Sequence, residues 1–134
     1  ALEVAQGKDF VSGMPQGLES SISQGGTNVS GGQRQRLAIA RAIIRRPDVY
    51  IFDDSFSALD FKTDAKLRQA LSHETKNAAV LIVAQRVTTV LNADRIVVLD
   101  EGKVAGIGTH KELMESCQVY KEIVLSQLSA EEVA

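Results

Sequence analysis

Between residues 33 and 46 there is neither glycine nor proline, and Leu37, Ala40, Ile43 and Ile44 recur at helical spacing with arginines on the remaining face. The pattern predicts a helix over 33–46 that Pro47 stops. Val49-Tyr50-Ile51-Phe52 is a continuous apolar run ending in two aspartates, the form of a strand buried on both faces in a parallel sheet. A helix over 62–74, with Leu67, Ala70 and Leu71 inward, leads to Ala79-Val80-Leu81-Ile82-Val83-Ala84, a second run of the same kind. After a short helix over 87–91, the runs 95–99 and 103–107 are separated by Asp100-Glu101-Gly102 and read as a hairpin. Helices over 110–116 and 119–128 follow, while ahead of the main pattern 1–6 reads as the end of a helix and 8–24 as irregular. Alternating strands and helices define an α/β fold with a mostly parallel sheet and flanking helices.

Composition narrows the class without changing that picture. The 134 residues are 44% hydrophobic and 24% charged, the balance of an ordinary globular domain. A formal net charge of -2 provides no basic field for nucleic acid or for direct insertion at an anionic membrane surface. No run approaches the roughly 20 apolar residues of a membrane-spanning helix. Cys117 is the only cysteine, so there is no internal disulfide framework, and its plain reading is an inert thiol on a helix. The sequence starts at Ala1 without a methionine or the basic and apolar regions of a signal peptide, so it is expected to be part of a longer protein.

The chemistry gathers at a few positions. In an open α/β sheet, ligands collect beyond the C-terminal ends of the strands, where Asp53, Asp54 and Gln85 fall. A carboxylate there suits Mg²⁺, and it equally suits capping the next turn. Ser30-Gly31-Gly32-Gln33 directly precedes a helix, so backbone N–H groups and the helix N-terminus offer an anion site that the glycines leave open to close approach. The same residues also describe a Ser-capped helix with a flexible lead-in. The arginines of the helix, with His73 and His110, read as surface residues.

At this point the stretch VSGGQRQRLAIARAIIRRPDVYIFDDSFSALD resembles the signature motif, Walker B strand and D-loop of an ATP-binding-cassette (ABC) ATPase. VLIVAQRVTTVLNADRIVVLDEGKVAGIGTHKEL is similar to the switch region and C-terminal part of ABC exporter subunits, and the two stretches make up about half of the chain. The resemblance implies a partial P-loop NTPase fold, with 1–46 as the end of the helical subdomain and 47–134 carrying Walker B, D-loop, switch region and C-terminal helices. It implies that Ser30, Gly31, Gly32 and Gln33 contact the γ-phosphate of ATP held by a second nucleotide-binding subunit. Asp53 becomes the Walker B carboxylate near Mg²⁺, and Ser57-Ala58-Leu59-Asp60 the D-loop at the dimer interface. Transmembrane domains are the implied further partners, and the cytoplasmic face of the membrane the implied location.

Two positions depart from the family pattern. Asp54 stands where a glutamate usually polarises the attacking water, one methylene shorter than geometry accurate to about 1 Å tolerates. Gln85 stands in place of the switch histidine and lacks the proton-handling role of imidazole. The chain's own ATP site is therefore expected to be degenerate, in a heterodimer whose partner supplies the competent residues. No GxxxxGK[ST] occurs, so the phosphate-cradling loop and its strand are missing; the chain alone is expected to be inactive and its sheet incomplete. An importer cassette, a soluble ABC ATPase and a non-catalytic interaction module remain as alternative readings.

Overall fold

The computed structural model describes residues 1–127, which form two compact units, Ala1–Val83 and a second that begins at Ala84. In the first unit a short helix α1 (Lys8–Ser12) precedes two 3₁₀ turns, Gly17–Glu19 and Gln24–Gly26. Helix α2 (Gly31–Ile44), strand β1 (Val49–Asp53), helix α3 (Phe61–Glu74) and strand β2 (Ala79–Val83) follow. Strands β1 and β2 pair in parallel from Val49↔Ala79 to Asp53↔Val83, so α3 is the crossover of one βαβ unit. In place of the expected helix end, residues 1–6 form turns, and α1 occupies part of the segment that reads as irregular.

One core serves this unit. Ile39, Ala40 and Ile43 of α2 and Leu67 and Leu71 of α3 pack with Tyr50, Phe52 and Phe56, whose rings follow one another at 6.0 Å and 5.5 Å between centroids. The buried stripe of α2 therefore runs through Ile39 rather than Ile44, which is 73% exposed at the helix's last turn. Arg45 closes α2 and Arg46 takes a left-handed backbone (φ 46°) before Pro47.

The expectation that β1 and β2 are buried on both faces is not met. Along β1 burial alternates, Tyr50 and Phe52 inward and Val49 and Ile51 outward. Ile51 lies opposite Leu81, and the pair stays largely exposed because no second layer among the described residues of this unit covers that face. Apolar runs are needed for a strand that is covered twice, but they do not supply the cover.

The second unit contains helix α4 (Val87–Val90), strands β3 (Ile96–Asp100) and β4 (Lys103–Gly108), and helices α5 (His110–Ser116) and α6 (Gln118–Gln127). Strands β3 and β4 form the expected antiparallel hairpin. Glu101 and Gly102 both have positive φ (46° and 74°), which is the backbone of a two-residue type I′ turn. Val87, Ile96, Val98, Leu113, Cys117, Tyr120 and Val124 make its core. A Cβ on Gly106 would meet Leu113 Cδ2 at 2.9 Å and Cys117 Sγ at 3.0 Å, so the absent side chain is what lets the hairpin touch α5. Cys117 is buried and is the C-cap of α5 in extended backbone rather than a residue within a helix, while His110 opens α5 and its Nδ1 lies 2.9 Å from the Tyr120 hydroxyl. The predicted end of the last helix, Leu128, lies outside the described residues.

Candidate phosphate-binding site

Helix α2 starts two residues before the predicted position 33, because Ser30 caps it. Ser30 has extended backbone (φ −67°, ψ 163°), and its Oγ accepts the Gln33 N–H at 3.2 Å while Gln33 Oε1 accepts the Ser30 N–H at 2.9 Å. This reciprocal capping box satisfies two of the donors at the helix start. Gly31 and Gly32 then occupy the first helical positions, with their N–H groups on the positive end of the helix dipole.

The lead-in is not flexible in form. The Asn28 carboxamide accepts from Ser23 N–H (3.0 Å) and Ser23 Oγ (2.9 Å) and donates to the Ser21 carbonyl (2.9 Å). Arg34 reaches back to the carbonyls of Gly25 (3.2 Å) and Gly26 (3.4 Å). Arg36 donates to the Gln6 carbonyl at 2.7 Å and lies 4.8 Å above the Phe10 ring. Both arginines tie α2 to the preceding chain; Arg34 is exposed as expected from the sequence, whereas Arg36 is half-buried.

The loop after β1 closes over the start of α2. An open recess of about 410 Å³ is lined by Ser30, Gly31, Gly32 and Arg36 on one side and Ala58, Leu59, Asp60 and Thr63 on the other. A Cβ on Gly32 would stand 3.0 Å from the Ala58 carbonyl oxygen, so only glycine lets backbone meet backbone here. Gln35, a residue not singled out by the sequence reading, fixes this closure. Its Nε2 donates to the Asp54 carbonyl and to Ser57 Oγ, and its Oε1 accepts the Ala58 N–H, all at 3.0 Å. Nothing in the sequence around Gln35 marks that role, because its partners lie 19 to 23 residues away.

Asp53 ends β1 with an exposed carboxylate, and Asp54 follows in the left-handed region at φ 47°. Aspartate tolerates that region better than most side chains. Its backbone is held there by the N–H bond to the Val83 carbonyl (3.1 Å) and by the bonds its carbonyl accepts from Gln35 and from Ser57 Oγ (3.1 Å). Gln85 stands in the second unit, just ahead of α4, with an exposed side chain. The structure thus brings Ser30, Gly31, Gly32, Ala58, Leu59 and Asp60 onto one recess, with Gln33 in the cap and Asp53, Asp54 and Ser57 at the root of the loop.

Asp60 is the N-cap of α3, accepting the Thr63 N–H at 2.9 Å. Hydrogen bonds from the Thr63 hydroxyl and then its N–H hold the carboxyl below the ordinary value of 3.8. A carboxyl depressed by folding stabilises the native state above its unfolded pKa and ceases to do so as pH falls through the folded one. In urea titrations of this chain at about pH 7 and about pH 3, the Asp60→Asn variant, which keeps a capping side chain, is expected to lose less stability on acidification than the parent. An equal loss in both proteins removes Asp60 from the acid response.

A βαβ unit with strand-end carboxylates and a glycine pair at a helix N-terminus is an α/β arrangement that can receive an anionic ligand. The family model described as ABC transporter matches residues 6–57. An ABC transporter ATP-binding protein of Mycobacterium tuberculosis is 50% identical over 127 residues, which is 95% of this chain and 22% of that protein. An ATP-dependent lipid A-core flippase of Photobacterium profundum is 43% identical over 123 residues, 92% of this chain and 21% of the flippase. Among solved structures, a bacterial Atm1-family ABC exporter with ATP bound superimposes with a TM-score of 0.89 at 31% identity, over 95% of this chain and 22% of the exporter. Over nearly its whole length the chain is similar to ATP-binding proteins of ABC transporters, and among solved structures to an ABC exporter. It spans about a fifth of the length of the curated relatives it matches, and among the described residues no helix is long and apolar enough to cross a membrane.

Proposed function

We propose that this chain works within an ABC exporter, at the cytoplasmic face of the membrane, where ATP binding and hydrolysis drive movement of a substrate through attached transmembrane domains. Residues 1–46 are the end of the helical subdomain, and 47–134 carry the Walker B strand, D-loop, switch region and C-terminal helices. In that assembly Ser30, Gly31, Gly32 and Gln33 close on the γ-phosphate of ATP held by a second nucleotide-binding subunit, and Ser57, Ala58, Leu59 and Asp60 lie at the interface with it. The observation that carries the reading is the shared recess, in which the glycine pair and residues 58–60 form one surface with no side chain between two backbones.

Asp53 fits Mg²⁺ by the chemistry of its donor, since this cation takes one or two carboxylates and completes its shell with water and phosphate oxygens. Asp53 would hold the ion, and the chemistry it would supply there is neutralisation of charge on the transferring phosphate. Asp54 would orient the attacking water and Gln85 would hydrogen-bond the phosphate of the chain's own site. Asp54 reaches one methylene less far than the family's glutamate and Gln85 cannot take up or release a proton near neutral pH, so this site holds nucleotide with little hydrolysis. Turnover then depends on a non-identical partner that provides a competent site, to which this chain contributes its signature.

The test is turnover in the reconstituted heterodimer after the partner's catalytic glutamate is replaced by glutamine. Hydrolysis is expected to fall by roughly 10²-fold or more, the scale of losing a transition-state contact. Unimpaired hydrolysis sinks the assignment of a degenerate site to this chain.

A further inference from the structure

We infer that Gln127 is a positioning residue that fixes the backbone of Gln85, a role that rests on the reading of Gln85 given under Proposed function. Helix α6 buries Tyr120 and Val124, four positions apart, at 3% and 1% exposure. Gln127 is the next position on that stripe, where a helix packed on a core ordinarily continues with an apolar side chain. Here the side chain is an amide, and it is used at both ends. Nε2 donates to the Gln85 carbonyl at 2.7 Å, and Oε1 accepts the Val87 N–H at 2.8 Å. Only one orientation of the amide satisfies both, so the pair of bonds also fixes which end is oxygen.

The two bonds flank Arg86 and reproduce what a neighbouring parallel strand gives to one residue, an acceptor for the following N–H and a donor for the preceding carbonyl. They also meet a local need. Val87 is the first residue of α4, whose N–H groups have no partner within the helix, and the N-cap Arg86 makes no side-chain cap bond. Gln127 supplies it from 40 residues away. With the carbonyl of Gln85 and the N–H of Val87 both held, and Val87 itself in the core, the peptide groups on either side of Arg86 cannot rotate. The exposed side chain of Gln85 then leaves a fixed backbone. Without the clamp the backbone from Gln85 to Val87 loses two of its restraints, and displacement of a phosphate-contacting group by about 1 Å costs up to about 10²-fold in rate.

The experiment uses the full-length chain assembled with its membrane domains and its partner. The partner's catalytic glutamate is replaced so that turnover reports only on this chain's site, and Asp54→Glu with Gln85→His raises its rate. In that background Gln127→Met, similar in length and unable to make either bond, is expected to lower kcat roughly tenfold with KM for MgATP within about twofold. Gln127→Glu, which keeps the acceptor for Val87, is expected to lie between. With Gln85→Ala in place of Gln85→His, Gln127→Met is expected to change kcat no further, the coupling of two groups that act through one another. An unchanged kcat, or an equal loss in both backgrounds, overturns the positioning role. Amide exchange is the second readout: the Val87 N–H is expected to exchange faster in Gln127→Met, and unchanged protection overturns the clamp itself. If the raised background shows no hydrolysis, the reading of Asp54 and Gln85 fails, and faster Val87 exchange still supports the clamp.

Discussion

Replacing Gly32 by alanine is expected to lower ATP turnover of the assembled transporter by roughly 10²-fold while changing the stability of this chain by no more than about 1 kcal/mol. Two opposing effects set the stability term. Alanine gains up to about 1 kcal/mol over glycine in a helix, less at the first turn. Against that, its Cβ stands 3.0 Å from the Ala58 carbonyl oxygen, and that carbonyl cannot retreat freely. The Ala58 N–H is held by Gln35, and the next residue, Leu59, is buried at 6% exposure. The loop gives by a few tenths of an ångström, which the fold absorbs and the recess does not. Steady-state hydrolysis in the reconstituted transporter, beside a thermal melt of this chain, separates the two. A variant that melts normally and turns over at the parent rate removes the glycine pair from the site.

The largest effect on folding is expected at Leu67. It is fully buried where α3 meets α2 and β1, and truncation to alanine leaves a cavity worth about 2–5 kcal/mol. A domain's whole stability is about 5–15 kcal/mol. With an uncovered apolar face on β1 and β2, this unit lies toward the lower end, so Leu67→Ala is expected to abolish a cooperative urea transition in the first unit. Ile44→Ala, at a residue 73% exposed, serves as the control and is expected to stay within about 0.5 kcal/mol of the parent. A Leu67→Ala protein that unfolds as cooperatively as the parent places the core elsewhere.

Much of this fold was legible because periodicity and punctuation agreed. The helix before Pro47, the parallel pair, the Glu101-Gly102 hairpin and α5 all lie where spacing and turn residues put them. The misreadings share one cause. Helix ends and strand burial depend on what is packed nearby, and sequence runs do not carry that. Ile44 and Ile51 are apolar and exposed, and Arg36 is charged and tied to Gln6 and Phe10. In the site, the glycine pair could be read because glycine before a helix has few uses. Gln35 and Gln127 could not, since a glutamine's worth lies in the backbone groups it reaches, 19 to 23 residues away in one case and 40 to 42 in the other.

The triple bond set of Gln35 has a mechanical meaning. Each bond contributes about 0.5–1.5 kcal/mol, and all three must break together before helix and loop can part. The three bonds therefore couple α2 to residues 54–58, so that a displacement of the helix start at Ser30 is passed on to the carbonyl of Asp54.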